Sequence, residues 1–198
     1  MLDFATLQKN KRLYKNEMVL CVPSDESIEQ GYIEFKGKNQ NYMTDTLGKY
    51  INRYKVEGDI SVYQLVPYLV VVNTDGKILT HTSKKNDKIA LGYSCHITPE
   101  IGGHSSIALN TCMHLAMYNL GEFAISVPAI LDGYIKTFSD TTKGHLGMVY
   151  VMHIGDITVE EDKNFTYEFK TPEDLFENHY GKLEEWAKLV LARFYGRE

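Results

Sequence analysis

The sequence predicts a single mixed α/β domain of 198 residues. Segments rich in β-branched and apolar residues recur along the chain, and two further segments have the apolar spacing of helices. No internal repeat and no linker rich in Pro, Gly or Ser divides the chain. Because 43% of the residues are hydrophobic and 24% are charged, a large core is expected. We therefore predict a broad mixed sheet with helices packed against it.

The predicted strands are β-branched runs that end at turn residues. The clearest run is VPYLVVVN, residues 66–73, because it precedes Asp75-Gly76, a strong hairpin turn pair. The alternating residues 77–81 supply the second strand of this hairpin. Further strands are predicted at residues 17–22, 32–35, 89–97, 123–135 and 147–154.

Helices are predicted in the middle of the chain and near its end. Residues 107–120 follow the cap candidates Ser105 and Ser106, contain neither Gly nor Pro, and stop at Gly121. Thr171-Pro172 then supplies an N-cap and a first-turn proline for a short helix. Apolar residues at helical spacing after residue 181 predict a last, amphipathic helix.

Charge and cysteine content exclude several classes of partner. The net charge of −5 gives no global positive field, so nucleic acid is an unfavourable partner. No apolar run approaches the roughly 20 residues that cross a bilayer, and no signal peptide is recognised. Three scattered cysteines, Cys21, Cys95 and Cys112, favour a reducing, cytoplasmic location. The sequence leaves a homodimer open.

A glycine pair lies between a predicted strand and the middle helix. Gly102 and Gly103, followed by His104, allow the backbone to approach a ligand closely. The helix that follows presents free N–H groups and a partial positive charge, which suit a phosphate. A plain connection between two elements is the alternative interpretation.

Several motifs in a fixed order resemble the Nudix superfamily. They are VLCVP at residues 19–23, QLVPYLV at 64–70, IGGH at 101–104, GHLGMVY at 144–150, and the pair Glu185-Trp186. The resemblance implies a Nudix-like α/β/α sandwich with a mixed sheet. It also implies that residues 1–58 are an N-terminal extension packed on a Nudix core, residues 59–198, which includes the C-terminal helices.

The sequence departs from the Nudix family at the catalytic helix. Nudix hydrolases carry the box G-x5-E-x7-R-E-U-x-E-E-x-G-U, whose helix glutamates hold magnesium against a diphosphate. When Gly121 is taken as the final box glycine, the three helix glutamates are replaced by Leu115, Tyr118 and Asn119, and residues 107–121 contain no acid. Magnesium requires oxygen ligands and is the main stabiliser of charge in such a reaction. Ordinary Nudix hydrolysis is therefore expected to be absent or very slow.

Uncharged polar residues stand where the acids would be. Asn110, His114 and Tyr118 are spaced at i, i+4 and i+8, so they share one helix face, which we call the polar stripe. The stripe is either a set of hydrogen-bonding groups for an anionic or nucleobase-like ligand, or the exposed face of a packed helix. The predicted ligand site comprises Gly102, Gly103, His104, Asn110, His114 and Tyr118.

No cofactor is expected, and magnesium enters only under an alternative hypothesis. In that alternative, Glu100, Glu160 and Glu161 form a relocated cation site. The histidines His81, His96, His104 and His114 fall near the expected cleft, but no H-x3-H or C-x-x-C spacing supports zinc.

Two other groups of residues have a candidate role in the cleft. Cys95 and His96 are neighbours in a predicted strand and would point to opposite faces, which argues against a Cys–His nucleophile. Lys84, Lys85 and Lys88 are either phosphate ligands or a solvated loop.

Three functions follow from the sequence. The leading one is a Nudix-fold protein that binds a nucleotide or another phosphorylated small molecule without ordinary hydrolysis. The second is a divalent-metal-dependent hydrolase of nucleoside diphosphate derivatives that uses acids outside the box. The third is a protein-interaction scaffold with a filled cleft.

Overall fold

The computed structural model describes residues 2–37, 42–100, 106–121, 124, 126–137, 139, 142–155, 157, 159 and 163–196. Within these ranges, ten strands form one mixed sheet. The strands are β1 (Met18–Pro23), β2 (Gly31–Glu34), β3 (Lys49–Asn52), β4 (Val62–Val72), β5 (Ile78–Ser83), β6 (Ile89–Ala90), β7 (Tyr93–Ser94), β8 (Ala129–Lys136), β9 (His145–His153) and β10 (Phe165–Lys170).

The sheet is built around β4 and β9. The main strand order is β10-β5-β4-β9-β8-β2, with β1 and β7 also paired to β4, β3 to β1, and β6 to β5. β4 and β9 run parallel, from Gln64 opposite His145 to Val72 opposite His153. The other described strand pairs are antiparallel.

Helices cover both faces of the sheet. The helices are α1 (Phe4–Leu13), α2 (Arg53–Val56), α3 (Ile107–Leu120), α4 (Pro172–Asp174) and α5 (Glu185–Tyr195). Leu69 and Val71 of β4 pack in the cluster that includes Ala108, Cys112 and Ala116 of α3. The alternate side chains Tyr68, Val70 and Val72 pack in a second cluster with Ala187 and Val190 of α5. Because helices bury both faces, β4 is mostly apolar, with Gln64 as its polar exception, and does not alternate.

The predicted fold class is confirmed as an α/β fold with one mixed sheet. The middle helix spans Ile107–Leu120, as predicted, and ends at Gly121, whose φ of 96° suits glycine. The Asp75-Gly76 hairpin is also present: the side-chain oxygen of Asn73 accepts the N–H groups of Asp75 and Lys77. In the described part of the chain, no helix is long and apolar enough to span a membrane.

Three local predictions are corrected. Ser106 occupies the N-cap position with a φ of 58°, and its side chain does not cap α3. The strand predicted at residues 89–97 is broken into β6, which pairs with β5, and β7, which pairs with β4. Gly92 lies at the break, where the backbone passes so close to the ring of Tyr68 that a Cβ would be 2.4 Å from it. The strand predicted at 123–135 begins only at Ala129, after a turn in which Val127 N–H donates to Ala124 O. The helix α1 and the strands β3 and β10 were not predicted.

The prediction at Thr171 is confirmed, because its hydroxyl accepts the N–H of Asp174 at 3.1 Å. Pro172 begins α4, and the last helix follows as α5. This C-terminal segment folds back on the sheet: Leu175, Leu183 and Leu191 are all buried.

A buried histidine packs among aromatic rings at the β5–β10 edge. The His81 ring lies 3.8 Å from that of Tyr93 and 5.5 Å from that of Tyr167, measured between centroids. Burial lowers the pKa of His81 to about 3. The folded protein therefore keeps this imidazole neutral at pH values where the unfolded chain protonates it.

We expect His81→Phe to reduce the acid sensitivity of folding. The unfolded state takes up a proton at His81 as the pH falls below about 6.5, whereas the folded state does so only near pH 3, so stability is lost across that window. Between pH 7 and pH 5 the loss from this residue is about 2 kcal/mol. Urea unfolding at both pH values measures the difference between wild type and variant. If the wild type and the variant lose the same free energy of unfolding between pH 7 and pH 5, His81 does not titrate in this way.

Candidate functional site

The polar stripe lies on the face of α3 that points away from the sheet. His114 and Tyr118 are exposed, and Tyr118 retains 89% of its accessible surface. Asn110 is half-buried. The three residues share a helix face as predicted, but none of them lines the main cleft described below. Their proposed role in ligand binding stays a prediction.

Other predicted site residues cannot be placed together. Gly102, Gly103, His104, Glu160 and Glu161 lie outside the described residues. Glu100 is exposed, and a hydrogen bond with the side chain of Thr98 lowers the pKa of its carboxyl.

The main cavity lined by the described residues is an open cleft of about 830 Å³. It lies between β4, residues 94–96 and the start of α5, on the sheet face opposite α3. Its lining combines an aromatic wall, a pair of imidazoles and charged groups of both signs. These residues include Tyr68, Trp186, His96, His145, Lys88 and Glu184.

The aromatic wall is held by specific contacts. The Tyr68 hydroxyl accepts the N–H of Leu91 at 3.1 Å, and its ring meets that of Trp186 edge to face at 5.7 Å. The indole N–H of Trp186 donates to the hydroxyl of Thr137. Gly147 of β9 lets the indole lie close, because a Cβ there would be 3.1 Å from Cζ3 of Trp186. The wall is therefore fixed before any ligand enters.

Two histidines meet beside this wall. His96 follows β7, and His145 is the first residue of β9. Their Nε2 atoms are 3.2 Å apart, although the residues are separated by 49 positions in the chain. Ligand atoms of Glu57, His96 and His145 all lie within 4.8 Å of one another. We call these three residues the His–Glu cluster.

Burial keeps both imidazoles neutral near neutral pH. Burial is the main cause that lowers the pKa of His96 to about 4, and the nearby charge of Arg53 adds to it. Burial also lowers the pKa of His145, against the charge of Glu57. Nδ1 of His145 is buried and has no hydrogen-bond partner within the described ranges, although the backbone of Thr142 and Lys143 lies nearby.

The carboxylate of Glu57 is oriented by the N-terminal part of the chain. Arg53 donates from Nε to Oε2 of Glu57 at 2.8 Å and from Nη1 to Glu17 at 2.8 Å. The side-chain amide of Asn10 in α1 donates to the backbone carbonyl of Glu57. Burial raises the pKa of Glu57, but the hydrogen bond and charge of Arg53 outweigh it, and the pKa falls below its usual value. Glu57 is therefore ionised at neutral pH.

The histidine grouping expected from the sequence is not formed by the described residues. Of the three that are described, His96 alone lines the cleft, since His81 packs at the β5–β10 edge and His114 is exposed on α3. His104 lies outside the described residues. Sequence reasoning missed Glu57 and His145, because no spacing motif joins residues that meet only through the pairing of distant strands.

Of the three lysines singled out in the sequence, one reaches the cleft. Lys88 lines it, whereas Lys84 and Lys85 line a separate, smaller cavity with Lys163.

Burial raises the pKa of the Cys95 thiol, so this residue rests as a neutral thiol and not as a nucleophilic thiolate.

Comparison with known proteins identifies the fold. No protein-family model matches the sequence, and no curated protein matches it in a sequence search. Among solved structures, that of Tm1382, described as a candidate Nudix hydrolase, superposes with a TM-score of 0.74 and 21% identity. The match covers 91% of this chain and 99% of that one. The chain has the Nudix fold.

A second solved structure matches a similar part of the chain. The structure of DR0079 from Deinococcus radiodurans matches 83% of this chain and 99% of that chain, with a TM-score of 0.53 and 15% identity. The predicted resemblance to Nudix proteins is thus confirmed at the level of the fold. Identities this low say nothing about the substrate.

We expect Tyr68→Phe to destabilise this Nudix-fold protein by about 1–3 kcal/mol, because it leaves the buried N–H of Leu91 without an acceptor. Tyr118→Phe is the matched control: Tyr118 is exposed, so the free energy of unfolding should change by less than about 0.5 kcal/mol. Urea unfolding of both variants measures the effect. If the Tyr68→Phe and Tyr118→Phe variants had equal free energies of unfolding, the Tyr68 hydroxyl would contribute nothing to the stability of the wall.

Proposed function

We propose that this Nudix-fold protein binds a nucleotide or another phosphorylated small molecule in the open cleft and does not hydrolyse it through α3. The observation that carries the proposal is the cleft itself, about 830 Å³ in volume, with a fixed aromatic wall and lysines at its edge. Ligand pockets in proteins typically have volumes of about 300–1,000 Å³ and combine apolar walls with a few polar groups.

The lining suits a ligand that has both a ring and an anionic group. The rings of Tyr68 and Trp186 offer apolar surface to a base. Lys88 and Lys188 supply positive charge for a phosphate, while Glu184 and Glu185 can accept hydrogen bonds from a base. This charge is local, because the chain as a whole carries a net charge of −5.

The acid-free helix supports binding without ordinary Nudix hydrolysis. Residues 107–121, which the resemblance aligns with the Nudix box, contain no Asp or Glu. Leu115 cannot coordinate a cation, and the Asn119 amide donates to the helix's own carbonyl at Leu115. Without carboxylates, α3 has no charge with which to hold magnesium against a diphosphate.

The two alternative functions have less support. The scaffold hypothesis concerns a filled cleft beside α3, and it gives no role to the open cleft on the opposite sheet face. A hydrolase using Glu100 would place its cation at an exposed side chain outside the cleft lining. The other acids of that alternative, Glu160 and Glu161, lie outside the described residues.

A thermal-shift panel of nucleotides tests the proposal. In EDTA, one or more nucleotides should raise the melting temperature, since a ligand at 100 times its Kd adds about 2.7 kcal/mol to stability. Nucleoside monophosphate formation, measured by chromatography, should stay at background with added Mg²⁺. Magnesium-dependent turnover would favour the hydrolase, and no stabilisation across the panel would favour the scaffold.

Lysine variants locate the binding site. We expect Lys88→Ala/Lys188→Ala to weaken nucleotide binding about tenfold or more, because each charged contact to a phosphate is worth about 1.5–3 kcal/mol. Lys15→Ala removes an exposed lysine that does not line the cleft and should leave the affinity unchanged. Isothermal titration with the stabilising nucleotide gives the affinities.

The polar stripe is tested in the same titration. The sequence-based hypothesis predicts that His114→Ala/Tyr118→Ala weakens binding. Because these side chains lie on the sheet face opposite the cleft, we expect the lysine pair to have the larger effect. An unchanged affinity in the stripe variant would remove the stripe from the site.

A further inference from the structure

We propose that Glu57, His96 and His145 form a binding site for one divalent transition-metal cation such as Zn²⁺. The site is independent of the nucleotide proposal and of α3. It is built from three elements that the Nudix-box comparison does not involve: the end of α2, the segment after β7 and the start of β9. Two lines of argument, geometry and charge, support it.

The two imidazoles already have the separation of metal ligands. Metal–nitrogen bonds of about 2.1 Å place neighbouring ligand atoms about 3.0–3.4 Å apart. The Nε2 atoms of His96 and His145 are 3.2 Å apart. The carboxylate of Glu57 lies within 4.8 Å of both, so an inward shift of at most about 1–2 Å brings it to the same ion.

The donor set selects the class of metal. Two imidazole nitrogens and one carboxylate oxygen suit Zn²⁺ and its neighbours in the first transition row, whereas Mg²⁺ prefers oxygen ligands alone. Three protein ligands leave at least one coordination position open. His96 and His145 both line the cleft, so an ion that they held would lie beside it.

The charge around the cluster favours a cation. Glu57 and Glu17 both pair with Arg53, so the formal charges of this group of three sum to −1 beside the two imidazoles. The guanidinium of Arg53 opposes the ion, but it also fixes Oε2 of Glu57 and acts as an outer-sphere positioning group.

The alternative explanation is a structural hydrogen bond between two neutral histidines. One imidazole would then donate to the other across the 3.2 Å contact, with no need for a metal. The two explanations make opposite predictions for the response to added Zn²⁺, and neither involves a nucleotide.

The test is a metal titration of the full chain after treatment with EDTA and removal of the chelator. We expect Zn²⁺ and Co²⁺ to bind at one ion per chain and to raise the melting temperature, whereas Mg²⁺ does neither. Bound Co²⁺ should give visible absorption bands of low coordination number. Failure of Zn²⁺ and Co²⁺ to bind the wild type saturably would overturn the proposal.

Matched variants assign the ligands. His96→Gln and Glu57→Gln should each weaken Zn²⁺ binding by more than the roughly 10–100-fold that loss of an outer-sphere partner costs. His153→Gln is the control, because His153 is exposed at the far end of β9. If all three variants bind Zn²⁺ like the wild type, the ion lies elsewhere and the proposal is wrong.

A measurement on the unmodified protein guards against variants that fail to fold. Zinc should shift the imidazole nitrogen signals of two histidines in ¹⁵N spectra that report ring nitrogens. Spectra in which no pair of histidines responds to zinc would contradict the proposal. A nucleotide panel that gives no stabilisation would leave these results untouched, so the two proposals fail independently.

Discussion

The parallel pairing of β4 with β9 is the contact on which the rest of the structure depends. It runs from Gln64 opposite His145 to Val72 opposite His153 and brings together segments that lie far apart in the chain. Both strands are buried on both faces, so a shift of register by one residue would exchange every side chain between the α3 and α5 faces. The same register that fixes the core therefore fixes His145 at the cleft.

The N-terminal part of the chain completes the cleft side of the sheet. β1 pairs with β4, and α2 lies between β3 and β4 in the chain, so Glu57 is delivered next to the paired histidines. Arg53 stacks over the ring of Tyr14 at 4.0 Å while it pairs with Glu57 and Glu17. A buried carboxylate is stable only with such partners, because burial alone would favour its neutral form.

The sequence was sufficient for the elements with strong local signals. α3 and the β4–β5 hairpin were predicted because helix stops, turn pairs and β-branched runs act within a few residues. α1 carried a usable signal, since Asp3 accepts the N–H of Thr6 as an N-cap, but its charged, weakly apolar segment concealed it. β6 and β7 were predicted as one strand, because the ring of Tyr68 against Gly92 is a contact made at long range.

The candidate site was less predictable than the fold for the same physical reason. The absence of Asp and Glu from α3 can be read from the residues of one helix, and it remains the firmest inference from the sequence. Glu57 meets His96 and His145 only because the end of α2, the segment after β7 and the start of β9 come together, which depends on strand register. No spacing rule for metal ligands covers such separations, so only a three-dimensional arrangement reveals the cluster.

The separation of α3 from the cleft explains why a helix without acids is compatible with the shape of the cleft. The helix is anchored by Ala108, Cys112 and Ala116, which are fully buried against the sheet, whereas His114 and Tyr118 point to solvent. Exchange of exposed side chains usually changes stability by less than about 0.5 kcal/mol, so the core exerts little selection for acids on that face. The cleft is built from β4, β9 and α5 on the opposite face of the sheet. Its geometry can therefore persist, and be used for binding, whatever chemistry α3 retains.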